Sequence, residues 1–153
     1  MRDYIAIARP DHWFKNVMIL PGFVFALLQP GIEWRATLIP LVMGTIGVCL
    51  VASSNYVLND WLDAVFDRHH PVKRNRPTVA RSLNRSIVYI EYVVLALVGL
   101  GVGYLVSVPF AVALAVLWVQ GVLYNVRPFR TKEVAYLDVL SESINNPIRL
   151  FLG

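Results

Sequence analysis

From Ala36 to Leu58 the chain runs for 23 positions without a charged residue. At 1.5 Å per residue this run makes a helix of about 35 Å, enough to cross a hydrocarbon core of about 30 Å. No ordinary water-soluble fold hides such a segment easily in a chain of 153 residues, of which 57% are hydrophobic and 16% charged. Similar runs extend from Val17 to Leu28 (back to Trp13 at most), from Ser86 to Val106, broken only by Glu91, and from Pro109 to Val126. Another apolar segment begins near Tyr136 and reaches Gly153. The expected architecture is an all-α, multi-span transmembrane bundle. Its spans lie at roughly 13–28, 36–58, 86–106 and 109–126, with an incomplete fifth at 136–153, in a single membrane domain over 1–153. Gln29-Pro30-Gly31 and Ser107-Val108-Pro109 supply tight turns. The first run starts too late, and lacks the small-residue cleavage site, for a good signal peptide.

Charge placement orients the bundle. Arg2, Arg9 and Lys15 precede the first run; Arg68, Lys73, Arg74, Arg76, Arg81 and Arg85 separate the second and third; Arg127, Arg130 and Lys132 follow the fourth. The opposite turns hold only Arg35. Basic residues on alternating connections place the amino terminus and both long loops in the cytoplasm, with the chain in the inner membrane. The net charge of +4 therefore reads as topology, not as a nucleic-acid surface. The single cysteine, Cys49, excludes an internal disulfide framework and reads as a small packed hydrophobe.

The segment Asn59-Asp60-Trp61-Leu62-Asp63-Ala64-Val65-Phe66-Asp67 carries the chemistry. If the second helix continues through it, Asp60, Asp63 and Asp67 share an arc of about 60°. Two carboxylates about 6 Å apart at an effective dielectric near 20 repel by roughly 3 kcal/mol. A hard divalent cation offsets that repulsion, and magnesium binds carboxylates together with substrate phosphates. The cluster is thus a candidate Mg²⁺-diphosphate clamp, the alternative being a solvated acidic turn neutralised by arginines. Lys73 and Arg76 follow as candidate diphosphate contacts, although topology alone explains basic loop residues. The adjacent His69 and His70 make a poor metal site and read as loop residues.

On these motifs the chain resembles the UbiA superfamily of intramembrane prenyltransferases. Asn59-Asp60-x-x-Asp63-x-x-x-Asp67, followed within ten residues by Arg76-Pro77, carries the likeness. Arg9-Pro10-x-x-Trp13-x-Lys15-Asn16 and Asp67-Arg68-x-His70-Pro71-x-Lys73-x-x-Arg76-Pro77 are similar to the decaprenyl-phosphate phosphoribosyltransferase branch. The resemblance implies helices around a central cavity, with Mg²⁺ held by Asp60, Asp63 and Asp67 as catalytic and metal-binding residues. It implies substrate contacts from Asn59, Lys73, Arg76, Lys15, Tyr124, Arg127 and Lys132. For Lys15 a snorkelling interface lysine is the competing reading, and for Tyr124, Arg127, Arg130 and Lys132 it is topology.

The branch implies transfer from phosphoribosyl pyrophosphate to a polyprenyl phosphate. The aromatic branch would instead move a polyprenyl group from its diphosphate to a ring acceptor. Family members run to about twice this length, so the chain reads as the amino-terminal half of such a transferase, incomplete or needing a partner. Asp138 and Glu142 stand too early to form the family's second aspartate-rich motif; Glu142 and Arg149 read as an ion pair or as cavity lining. A non-catalytic membrane fragment and a small cation transporter are the competing classes, the latter disfavoured because the spans hold few deep polar residues. Gly44, Gly47, Gly99, Gly101 and Gly103 suit close helix packing.

Overall fold

The computed structural model describes all residues, Met1–Gly153. The chain is helical throughout, without a strand. Helix α1 (Arg2–Ile7) leads into a 3-10 segment (Pro10–Met18) and α2 (Ile19–Leu27). The long α3 (Trp34–Asp67) follows, then a 3-10 turn (Lys73–Asn75) and the short α4 (Pro77–Ala80). Helices α5 (Arg85–Val106) and α6 (Val108–Asn125), a 3-10 turn (Thr131–Glu133) and α7 (Ala135–Phe151) complete the chain.

Three helices are individually long and apolar enough to cross a membrane: α3, α5 and α6, with mean hydropathy 2.0, 2.0 and 1.6. Their outward side chains, such as Ile39 (71% exposed) and Leu97 (64%), have no protein to pack on. A membrane protein leaves such residues to lipid, which is as apolar as they are. Ser107 alone separates α5 from α6; its hydroxyl accepts from the Phe110 amide at 3.1 Å and caps the new helix.

The 34 residues of α3 would span about 51 Å. The helix therefore continues past the apolar run and carries Asn59 to Asp67 on the same helix, further than a hydrocarbon core of about 30 Å requires. It packs on α5 through a close backbone approach. A Cβ on Gly47 would lie 3.1 Å from the Gly99 carbonyl oxygen, and one on Gly99 would lie 3.0 Å from the Gly47 carbonyl oxygen. Gly101 has no such neighbour, and so takes no part in this packing. Inside the bundle, Ile19, Val48, Val51, Leu114, Leu117 and Leu152 form the main core, and Ile7, Val57 and Val88 a second one nearer the aspartates.

Two segments depart from the expected spans. The first is no single α-helix but a 3-10 piece followed by nine residues of α2. Pro21 has no N–H to return to the Val17 carbonyl, and α2 begins where that missing bond leaves no ladder position unfilled, whereas α3 and α7 run on through Pro40 and Pro147. A start at Ile19 puts Pro21 in the first turn, where no such bond is required. The last, α7, is amphipathic and not uniformly apolar. Glu142, Asn145, Asn146 and Arg149 line the interior, whereas Tyr136, Val139 and Phe151 face outward.

Candidate active site

Helix α3 presents its acidic segment to two flanking elements, and each carboxylate meets a different set of cations. Arg9 forks onto Asp60: Nη2 donates to Oδ1 at 2.7 Å and to Oδ2 at 3.0 Å, and Nε to Oδ2 at 3.2 Å. Arg76, at the start of α4, donates through Nη1 to Asp67 Oδ2 at 2.6 Å and lies 3.3 Å from Asp60 Oδ1. Lys73 Nζ stands 3.9 Å from Asp67 Oδ1. Asp60 and Asp67 are buried. Buried carboxylates need such partners, because an unpaired charge away from water is costly.

Asp63 turns to the loop after α6. Its Oδ1 accepts from Arg130 Nη2 at 2.9 Å and from Lys132 Nζ at 2.6 Å. Lys132 also donates to Asn125 Oδ1 at 2.8 Å and Asn59 Oδ1 at 3.1 Å. Burial pulls the Lys132 ammonium below the ordinary lysine pKa, and the Asp63 carboxylate opposes that shift. Arg130 further donates to Glu133 Oε1 at 2.5 Å and to the Asn125 carbonyl at 3.2 Å, and its guanidinium lies over the Phe66 ring.

Arg9 (φ 49°) and Arg130 (φ 32°) are the two non-glycine residues with left-handed backbone. That conformation costs on the order of 1–3 kcal/mol per residue. Each of the two clamps one aspartate of α3, so the charge-assisted bonds offset the backbone cost where the connecting segments dock onto the long helix.

The three aspartates therefore do not converge on one point. Asp60 and Asp67 do, on Arg76 Nη1, whereas the Arg130–Lys132 pair draws Asp63 away. No group of three or more His, Cys, Asp or Glu side chains is arranged to hold a metal. The donor chemistry of the converging pair, two hard anionic oxygens gathered on one positive charge, nevertheless fits an oxygen-seeking divalent cation. Asp63, held by Arg130 and Lys132, stands apart from this pair.

Beside the aspartates lies a cavity of about 550 Å³ between the 3-10 segment, α3, α6 and α7. Asn55, Asn59, Gln120, Asn145 and Asn146 line it with amides, and Arg9, Lys15 and Arg149 with cations; Ala52 and Leu117 are its aliphatic residues. Of the residues expected at the site, Asn59, Lys15 and Tyr124 reach this cavity. Tyr124 donates its hydroxyl to Asp138 at 2.7 Å and stacks under Lys132. Arg127 is not brought in: it is 73% exposed, 3.7 Å from Glu133. His70 is a turn residue, its Nδ1 accepting from the Val72 and Lys73 amides, both at 3.2 Å. Glu142 and Arg149 both line the cavity without pairing. Arg9 was missed as a site residue; its place in the Arg9-Pro10 motif was the available signal.

A model described as the UbiA prenyltransferase family matches residues 17–145. A decaprenyl-phosphate phosphoribosyltransferase of Mycolicibacterium smegmatis is 31% identical over 97% of this chain and 46% of its own. Nodulation protein NoeC of Azorhizobium caulinodans is 37% identical over 53% of this chain and 25% of its own. Protoheme IX farnesyltransferase 2 of Pseudomonas paraeruginosa is 29% identical over 75% of this chain and 38% of its own. The chain thus spans a quarter to a half of the length of these relatives.

Proposed function

This chain belongs to the UbiA prenyltransferase family, and on that premise we propose that it serves a Mg²⁺-dependent membrane transferase moving phosphoribosyl from phosphoribosyl pyrophosphate to a polyprenyl phosphate. The observation that carries the reading is the convergence of Asp60 and Asp67 beside a cavity walled by amides and cations. A pocket with so few aliphatic residues suits a hydrophilic donor better than a prenyl chain. The similarity to the phosphoribosyltransferase, over nearly all of this chain, supports the same choice.

In this reading Asp60 and Asp67 hold magnesium, with Asp63 adjoining. The ion supplies charge neutralisation at the departing pyrophosphate. Arg76 and Lys73 exchange their aspartate contacts for pyrophosphate oxygens, and Arg9 keeps Asp60 oriented. Asn59, whose amide lies 3.5 Å from Asp60 Oδ1, holds that carboxylate's rotamer. Donors placed before the reaction stabilise the leaving charge without reorganising, as positive character builds at the sugar carbon. The acceptor phosphate attacks that carbon, its prenyl chain remaining in the bilayer. Lys132 and Tyr124 border its approach, and Arg127 stays outside. The loops that carry this chemistry face the cytoplasm of the inner membrane.

The test supplies membranes carrying the protein with labelled phosphoribosyl pyrophosphate, polyprenyl phosphate and Mg²⁺. Label should enter the lipid phase, and Asp60→Asn or Asp67→Asn should abolish the transfer. Turnover of a prenyl diphosphate on an aromatic acceptor, with no label in lipid, would establish the prenyl-transfer reading instead.

A further inference from the structure

Four of the cations around the aspartates are neutralised: Arg9 and Arg76 by Asp60, Arg76 also by Asp67, and Arg130 and Lys132 by Asp63. Two cations in the cavity wall are not. No carboxylate oxygen lies within 4.0 Å of Lys15 or Arg149. Arg149 is half-buried, yet its position is set by hydrogen bonds. Its Nε donates to Asn16 Oδ1 at 3.0 Å, and Nη1 to Asn146 Oδ1 at 3.4 Å. Asn16 is 2% exposed and is itself held by donating Nδ2 to Cys49 Sγ at 3.2 Å. A chain of buried contacts from α3 thus aims one guanidinium that has no counterion. Arg149, a half-buried cation in a membrane bundle without a carboxylate partner, calls for an anion from elsewhere, and the exposed Lys15 borders the same cavity.

The position along α3 separates this feature from the aspartates. Cys49 precedes Asp60 by 11 residues, about 16 Å along the helix axis. One cavity is lined by Arg9 and Asn59 at the aspartate level and by Arg149 at the Cys49 level, so a single ligand charged at each end can meet both. Glu142, the carboxylate among the cavity residues, is free to accept hydroxyl protons between them.

We propose that Arg149 and Lys15, with Asn16 as positioning residue, form a second anion subsite that takes a phosphate monoester, distinct from the pyrophosphate end at Asp60, Asp67 and Arg76. This deepens the transfer reading, on which it rests, by assigning recognition of a second phosphoryl group. That group belongs either to a phosphorylated sugar or to a lipid phosphate.

Equilibrium binding to the purified protein in nanodiscs tests it with three probes: ribose 5-phosphate, geranyl monophosphate, and inorganic pyrophosphate with Mg²⁺. At least one monoester should saturate the wild type, and whichever binds names the source of the phosphate. Arg149→Gln should weaken that monoester by about tenfold or more while leaving pyrophosphate within about twofold. Arg149→Lys should fall in between, since it keeps the charge and loses the fork. The proposal is overturned if neither monoester binds, if Arg149→Gln binds it like wild type, or if pyrophosphate weakens equally. Should Arg149→Gln fail to fold, Lys15→Gln decides: a loss of about threefold or more supports the subsite, and unchanged binding refutes it. Absence of Mg²⁺-pyrophosphate binding by the wild type would count against the transfer reading, while the monoester arm reports on the subsite itself.

Discussion

Replacing Asp63 by asparagine removes the one carboxylate shared by Arg130 and Lys132 while preserving shape. Those two cations are 9% and 12% exposed at the side chain, and Asp63 is 17% exposed. Removing one partner from a fully buried ion pair costs about 3–5 kcal/mol. Asp63 lies beyond the apolar part of α3 and retains some solvent, so about 2–3 kcal/mol is the appropriate magnitude. The loss falls on the docking of the 126–134 loop, because both cations are carried there, although Arg130 keeps its bonds to Glu133 and the Asn125 carbonyl. Limited trypsin cleavage after Arg130 reads this opening directly. At 2 kcal/mol the open population, and with it the cleavage rate, rises about thirtyfold. A double-mutant cycle with Lys132→Met completes the test: the double variant should open less than the two single effects predict, by about 1 kcal/mol or more. Additivity within about 0.5 kcal/mol would refute the latch, and an unchanged cleavage rate in Asp63→Asn would do so alone.

Alkaline titration gives a second check on the same group. Lys132 binds its proton less tightly folded than unfolded, because of burial, so stability should rise with pH between its folded pKa and the ordinary lysine value. Asp63→Asn should widen that interval downward and Lys132→Met should remove the slope, as read from denaturant midpoints across pH. Gly121→Ala places a methyl group against the Asn55 amide; thermal unfolding should report a loss of about 1–3 kcal/mol, and no loss would mean that the α3–α6 wall yields. Ser107→Ala deletes the hydroxyl that starts α6 and should cost about 1 kcal/mol in the same assay.

Much of the candidate site was legible before any coordinates. The spacing of Asp60, Asp63 and Asp67 requires only that a helix continue past Leu58, and α3 does so to Asp67. Close α3–α5 packing at Gly47 and Gly99 follows from small residues in apolar runs. The contacts of Asp63 with Arg130 and Lys132 were not legible, because a separation of more than 60 positions carries no periodic signal. Hydropathy over 13–28 does not distinguish the 3-10 piece from the nine residues of α2, because it averages composition and carries no backbone geometry.

Local patterns, then, determined where helices run, which residues face lipid and which carboxylates share a helix face, because each follows from the rise and turn of one helix. Which cation meets which carboxylate was decided only when α1, α4 and the loop after α6 came together around α3. So was the polar cavity that gathers Arg149 and Lys15, with Asn16 buried behind the guanidinium. Ion pairing depends on a few ångströms between segments far apart in the chain, and no single segment contains that distance.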